Sequence, residues 1–202
     1  IEISLRARLA YFHSEKYGPL GYLDASFFNS KHNAEKFKAN LNREIENNKK
    51  VLFVKHHLEH YDGKFPLWVI IEFFSTGMLS YLYADLHTPD RKKIAVESFN
   101  TSAECLKSWL RCLTDLRNRC AHCARLYYWN FPAIPRTPND VPYTFDRKLF
   151  SQILMLKHLY PNKQKWNSDI VISIEALIEE YLPDISLKHI GFPSNWKELL
   201  KA

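Results

Sequence analysis

Glycine is scarce in this sequence, with five copies among 202 residues. That is too few for the dense turns of an all-β protein. Cysteine is rarer still, and its four copies, Cys105, Cys112, Cys120 and Cys123, share one short stretch. Thiols gathered on a single helical segment make a poor disulfide framework, so reduced cysteines in a cytoplasmic protein are expected. No apolar run approaches the roughly 18 residues that would span a membrane, and no signal peptide is visible. Proline is missing over long stretches but crowds 130–142 as Pro132, Pro135, Pro138 and Pro142, which predicts an irregular loop there. What remains is 46% hydrophobic and 25% charged, the balance of a globular chain that buries a core. The formal net charge of +6 permits contact with phosphate but is too small to decide a partner. The chain opens at Ile1 inside a helical pattern, so a preceding N-terminal segment is expected.

Helical periodicity recurs along the chain. Leu5, Leu9 and Phe12 follow the i, i+4, i+7 spacing of a buried stripe, and Tyr17-Gly18-Pro19 should end that helix. Phe37, Leu41 and Ile45 repeat the spacing between Asn33 and Asn48. A helix over 66–84, apolar on most sides, is expected to be the central buried one. Ser102 is a candidate N-cap for a helix with Leu106, Leu110 and Leu113 on its inner face. Helices are expected again over 145–160 and 168–181, the latter with Ile170, Ile174, Leu177 and Tyr181 inward. Gly191-Phe192-Pro193-Ser194 reads as a turn, with Ser194 capping a short last helix. With no repeat and no linker, the reading is one all-α bundle over 1–202.

The chemistry is concentrated at Arg117-Asn118-Arg119-Cys120-Ala121-His122. Asn118 and His122 are i, i+4 neighbours on a helix face. Arg117 lies about 140° around the axis from His122, within reach of a long side chain. A fixed cation beside a group that titrates near neutrality suits RNA cleavage without a metal. Imidazole can take the proton of a ribose 2′-OH or supply one to the leaving oxygen. A guanidinium can hold the phosphate and its developing charge. DNA lacks the 2′-OH, so this route selects RNA. One histidine cannot readily act as both acid and base, and a dimer would bring two copies together. The same residues also admit a structural account, with Arg117 paired to Asp115 and His122 a core histidine.

Together with Leu116, Arg125 and Trp129-Asn130, this run resembles the Arg-Asn-x-x-x-His signature of the HEPN superfamily, in its Abi-like (abortive-infection) form. Other blocks match in the same order. They are Arg6-Ala7-Arg8-Leu9-Ala10-Tyr11 with Tyr17-Gly18-Pro19, Pro66-Leu67-Trp68 through Glu72 to Leu82-Tyr83, and Gly191-Phe192-Pro193-x-x-Trp196. Cys123 stands where the family often has a second histidine. The resemblance implies an all-α HEPN-type bundle with additional helices, often dimeric, in phage defence or toxin–antitoxin systems. By it, Arg117 would stabilise phosphate, His122 would be the acid–base group and Asn118 would orient the motif. Glu72 and Arg125 would support them, although Glu72 can equally be a salt-bridge partner of Arg117 or Arg125.

Arg119, Tyr128 and Trp129 mix basic and aromatic groups in the manner of a single-stranded RNA clamp, while aromatics this dense also serve as core anchors. Cys120 and Cys123 around His122 lack a second pair for zinc, and His56, His57 and His60 read as a solvated helix end. No metal and no cofactor are expected. The expected partners are an RNA substrate, a second copy of the chain and an RNA or protein antitoxin, with no membrane. A non-catalytic RNA- or protein-binding module is the rival reading.

Overall fold

The computed structural model of the chain describes residues 1–201. The fold is all-α, 66% helical and without strands among the described residues, apart from one antiparallel bridge between Phe28 and Leu86. No helix among the described residues is long and apolar enough to cross a membrane. The contacts gather into two compact units, residues 2–98 and residues 99 onward.

In the N-terminal unit, α1 (Glu2–Tyr17) buries Leu5, Leu9 and Phe12 as its periodicity predicts. It stops where Gly18 turns to φ +80 and returns its N–H to the Ser14 carbonyl. Asn33 accepts from the Lys36 N–H and starts α2 (Ala34–Asn47), which buries Leu41. α3 (Leu52–His60) follows.

The single helix expected over 66–84 is instead two. α4 (Leu67–Ile70) tightens into a 3₁₀ turn (Ile71–Phe73), Phe74 is extended, and α5 (Thr76–Asp85) begins afresh. The Ser75 hydroxyl causes the restart by accepting from the Met78 N–H at 3.2 Å. Leu67, Ile70, Ile71 and Phe74 are buried against α1, whereas Trp68 is 52% exposed, so only one side of this stretch is core. α6 (Thr88–Phe99) closes the unit. Its buried Asp90 receives Lys16 and, at 2.6 Å, the Tyr17 hydroxyl, which ties α6 to the end of α1.

In the C-terminal unit, Ser102 caps α7 (Ala103–Ala121) through the Cys105 N–H, and Leu106, Leu110 and Leu113 face inward with Trp109 and Leu116. The proline-rich stretch 130–142 is irregular, as expected. Hydrogen bonds from both sides fix it to α7. The Trp109 indole N–H donates to the Arg136 carbonyl at 2.8 Å, and the Arg136 N–H donates to the Ser108 hydroxyl at 2.9 Å. α8 (Leu149–Leu159) starts later than the expected 145, because the Asp146 carboxylate holds a turn by accepting from the Lys148 N–H and the Ser151 hydroxyl.

α9 (Lys163–Lys165) runs through a π-helical turn (Trp166–Val171) into α10 (Ile172–Tyr181). The wider turn rotates the inner face away from the expected one. Trp166, Val171 and Ile178 are buried, while Leu177 and Tyr181 are 58% and 47% exposed. At the last helix, α11 (Trp196–Leu200), the cap position is Asn195 rather than Ser194, and no side chain among the described residues caps it.

Candidate functional site

The Arg117–His122 run occupies the last turn of α7. Its register holds to the end, since the His122 N–H bonds to the Asn118 carbonyl at 3.1 Å. The helix then closes with a left-handed residue, Cys123 at φ +50. The Cys123 N–H reaches Cys120 and the Ala124 N–H reaches Arg119 at 2.9 Å, the paired bonds of a Schellman motif. Glycine usually fills that left-handed position, and a side chain there costs about 1–2 kcal/mol.

Leu116 anchors this turn in the core, which leaves Arg117, Asn118 and His122 facing solvent. None of those three side chains makes a hydrogen bond or ion pair among the described residues. Arg117 therefore does not pair with Asp115, and His122 is not a core histidine. A cationic helix end is favourable in itself, because the last carbonyls carry the negative pole of the helix dipole.

The segment after the motif folds back on α7. Arg119 donates to the Arg125 carbonyl at 2.7 Å, and its guanidinium lies 3.5 Å from the Trp129 ring centre. Those two clamp candidates thus cover each other. Arg125 projects into solvent. Tyr128 sits at φ +62 in the 126–129 turn, stacked on His189 with ring centres 4.1 Å apart. Both imidazole nitrogens meet tyrosine hydroxyls, Nδ1 with Tyr127 at 2.9 Å and Nε2 with Tyr128 at 3.1 Å. The Ser186 N–H donates to the Tyr127 oxygen, which leaves that hydroxyl's hydrogen for Nδ1. The sequence carries no sign of His189, because its partners lie about sixty positions away.

A family model described as Abi-like protein matches residues 1–128, from α1 through the motif to the start of the following turn. The chain belongs to the Abi-like protein family. Comparison with curated proteins and with solved structures gives no match. The match takes in Glu72, Arg117, Asn118, Arg119, His122, Arg125 and Tyr128, while Trp129 and the closing Gly191–Trp196 block lie beyond it.

Glu72 makes no ion pair among the described residues. It lies in the 3₁₀ turn with its side chain exposed, at the rim of a cavity of about 600 Å³ shared with Arg6, Tyr11 and Trp68. A solvated carboxylate there needs no buried partner. His56, His57 and His60 line a second cavity of about 660 Å³. His57 Nδ1 contacts the Phe53 carbonyl, and its ring stacks on Phe65. Among the described residues no three His, Cys, Asp or Glu side chains converge as a metal centre. Burial pushes the Cys112 thiol up to about 12, so that sulfur is unreactive packing, whereas Cys120 and Cys123 are exposed.

Proposed function

We propose that this Abi-like protein is a metal-independent endoribonuclease of the HEPN type, acting in the cytoplasm as a homodimer during phage infection. The observation that carries the reading is the exposed, unpaired set of Arg117, Asn118 and His122 at the end of α7, inside the residues matched by the family. The unpaired guanidinium is free to take a phosphate bidentately, and the imidazole is free to exchange a proton with the 2′-OH or the leaving oxygen. Asn118, one helical turn before His122, offers an amide to orient either group or the ribose. Two copies related by a two-fold axis supply the acid and the base separately. Such a nuclease has to be held off in the healthy cell, and an RNA or protein antitoxin would do so.

The test is cleavage of mixed single-stranded RNA in EDTA by the wild type, His122→Ala and Arg117→Ala. The reading requires cleavage by the wild type and its loss in both folded variants. Wild-type protein that binds RNA tightly without cutting it supports the rival reading, a non-catalytic binding module. Tyr128, half-exposed and fixed beside the motif, already offers that module an aromatic surface.

A further inference from the structure

α7 carries more charge than its last turn. Lys107 and Arg111 are one helical turn apart, and both line a cavity of about 540 Å³ in the C-terminal unit. Arg136 faces them from the proline-rich stretch and is locked there by the Ser108 and Trp109 bonds to its own backbone. Glu104 is the one carboxylate among the cavity's lining residues. None of the three cations makes a side-chain hydrogen bond or ion pair among the described residues, and with Glu104 as the only lining carboxylate the cavity keeps a positive excess.

At about 100° per residue, Lys107, Arg111, Asn118 and His122 fall within about 60° of one another around the α7 axis. They form one outward stripe, opposite the buried Trp109, Leu113 and Leu116. At about 1.5 Å per residue, the Arg111 position lies roughly 16 Å from that of His122, a span of several nucleotides along an extended strand.

We propose that the Lys107, Arg111 and Arg136 cavity is a phosphate-binding subsite that grips single-stranded RNA upstream of the motif and feeds the strand along α7 to His122. The inference rests on the ribonuclease reading for its substrate class. Three cations around a concave surface, with no partner of their own among the described residues, suit a phosphodiester backbone and carry no base preference. The sequence holds part of the signal in the i, i+4 pair of Lys107 and Arg111, but Arg136 joins them only through the fold.

The test uses a 2′-O-methyl RNA of about 12 nucleotides, which binds but cannot be cut by 2′-OH attack. Affinity is measured by fluorescence anisotropy over a series of salt concentrations for wild type, Arg111→Gln, Arg136→Gln and Lys50→Gln. Lys50 is an exposed lysine of the other unit and serves as a charge-matched control. The subsite predicts about three- to tenfold weaker binding for Arg111→Gln and Arg136→Gln, with the salt slope shallower by about 0.7 for each phosphate no longer held. Lys50→Gln should bind as the wild type does. Equal weakening in all three variants, or none in the first two, would overturn the subsite, as would a wild type that does not hold this RNA. A wild type that binds, with the expected weakening in the variants, but cuts no ordinary RNA keeps the subsite and removes the ribonuclease reading.

Discussion

In the N-terminal unit the charged side chains at helix contacts are tied to one another. Arg6 bonds Glu2 and the Phe74 carbonyl, His32 meets Asp85 at 2.9 Å, and the buried Asp90 receives both Lys16 and Tyr17. In the C-terminal unit many of the paired polar groups are uncharged, as with Ser108 and the Arg136 backbone, Tyr127 and His189, and the Trp109 and Trp166 indoles with carbonyls, while Lys197 of α11 pairs with Glu175 and Glu179 of α10. Among the described residues, the side-chain cations at 107, 111, 117, 125 and 136 have no partner. A charge that spans two helices stabilises the fold, and a charge that stays solvated along one helix is available to a ligand. Substitution should therefore damage the two units differently, in stability on one side and in activity on the other.

The largest effect belongs to the motif. His122→Ala and Arg117→Ala should each lower RNA cleavage by about 10³-fold, the scale of a lost acid–base group or phosphate clamp. Both side chains are exposed, so the urea midpoint should correspond to a stability change within about 0.5 kcal/mol. Parallel losses of activity and stability would make the motif structural and erase the contrast between the units.

Acid sharpens the comparison next. His13 is 1% exposed with neither ring nitrogen hydrogen-bonded among the described residues, and burial lowers its pKa to about 4. The unfolded chain takes up this proton below about 6.5, and the folded chain resists until about 4. The stability that neutral His13 permits is thus complete above pH 6.5 and lost as the pH falls from 6.5 toward 4, by about 2–3 kcal/mol. His158 in the other unit behaves alike, lowered to about 4 by burial and by Lys163 and Lys157. His13→Phe should retain the stacking on Phe28 and abolish the acid sensitivity of the N-terminal unit alone. Amide hydrogen exchange at pH 5 reads this unit by unit, and protection unchanged in residues 2–98 would contradict it.

Asp90→Ala follows at about 2 kcal/mol, the scale of removing a buried acceptor that serves one cation and one hydroxyl. Urea unfolding measures it. RNA binding should not change, since Asp90 is buried and serves Lys16 and Tyr17 rather than the cations of α7.

Legibility followed the same physics. α1 and α7 were readable because each has a single apolar stripe, Leu5/Leu9/Phe12 and Leu106/Leu110/Leu113, with glycine or serine at a boundary. The stretch 66–84 was not, because an apolar run without contrast cannot show where Ser75 will restart the helix. α6 gave no signal, as one of its three buried residues is Asp90, whose partners come from α1. The inner face of α10 was misread because a π turn shifts phase without changing composition. At the candidate site, Arg117, Asn118 and His122 stand out in the sequence through the resemblance to the Arg-Asn-x-x-x-His signature more than through their spacing, and the exposure of all three could not be read from either. Arg136 and His189 join their neighbours only through tertiary contacts.

The smallest effect concerns the residue after His122. Cys123 takes the left-handed position that closes α7, at φ +50, with its thiol exposed. Cys123→Gly removes the clash of Cβ with the backbone, worth about 1–2 kcal/mol, and adds unfolded-state freedom worth about 0.5–1 kcal/mol. The net expectation is a gain of about 0.5–1 kcal/mol, visible as a melting temperature about 2 °C higher. The Schellman bonds come from the backbone and survive the change, so His122 should keep its place and cleavage its rate. Tyr128→Gly is the instructive counterpart. It too relieves a positive φ, but it gives up the stack and hydroxyl contact with His189, so it should lower stability. If Cys123→Gly also destabilised the chain, its thiol would be making a contact that matters, and the turn after the motif would owe its shape to that side chain rather than to the backbone.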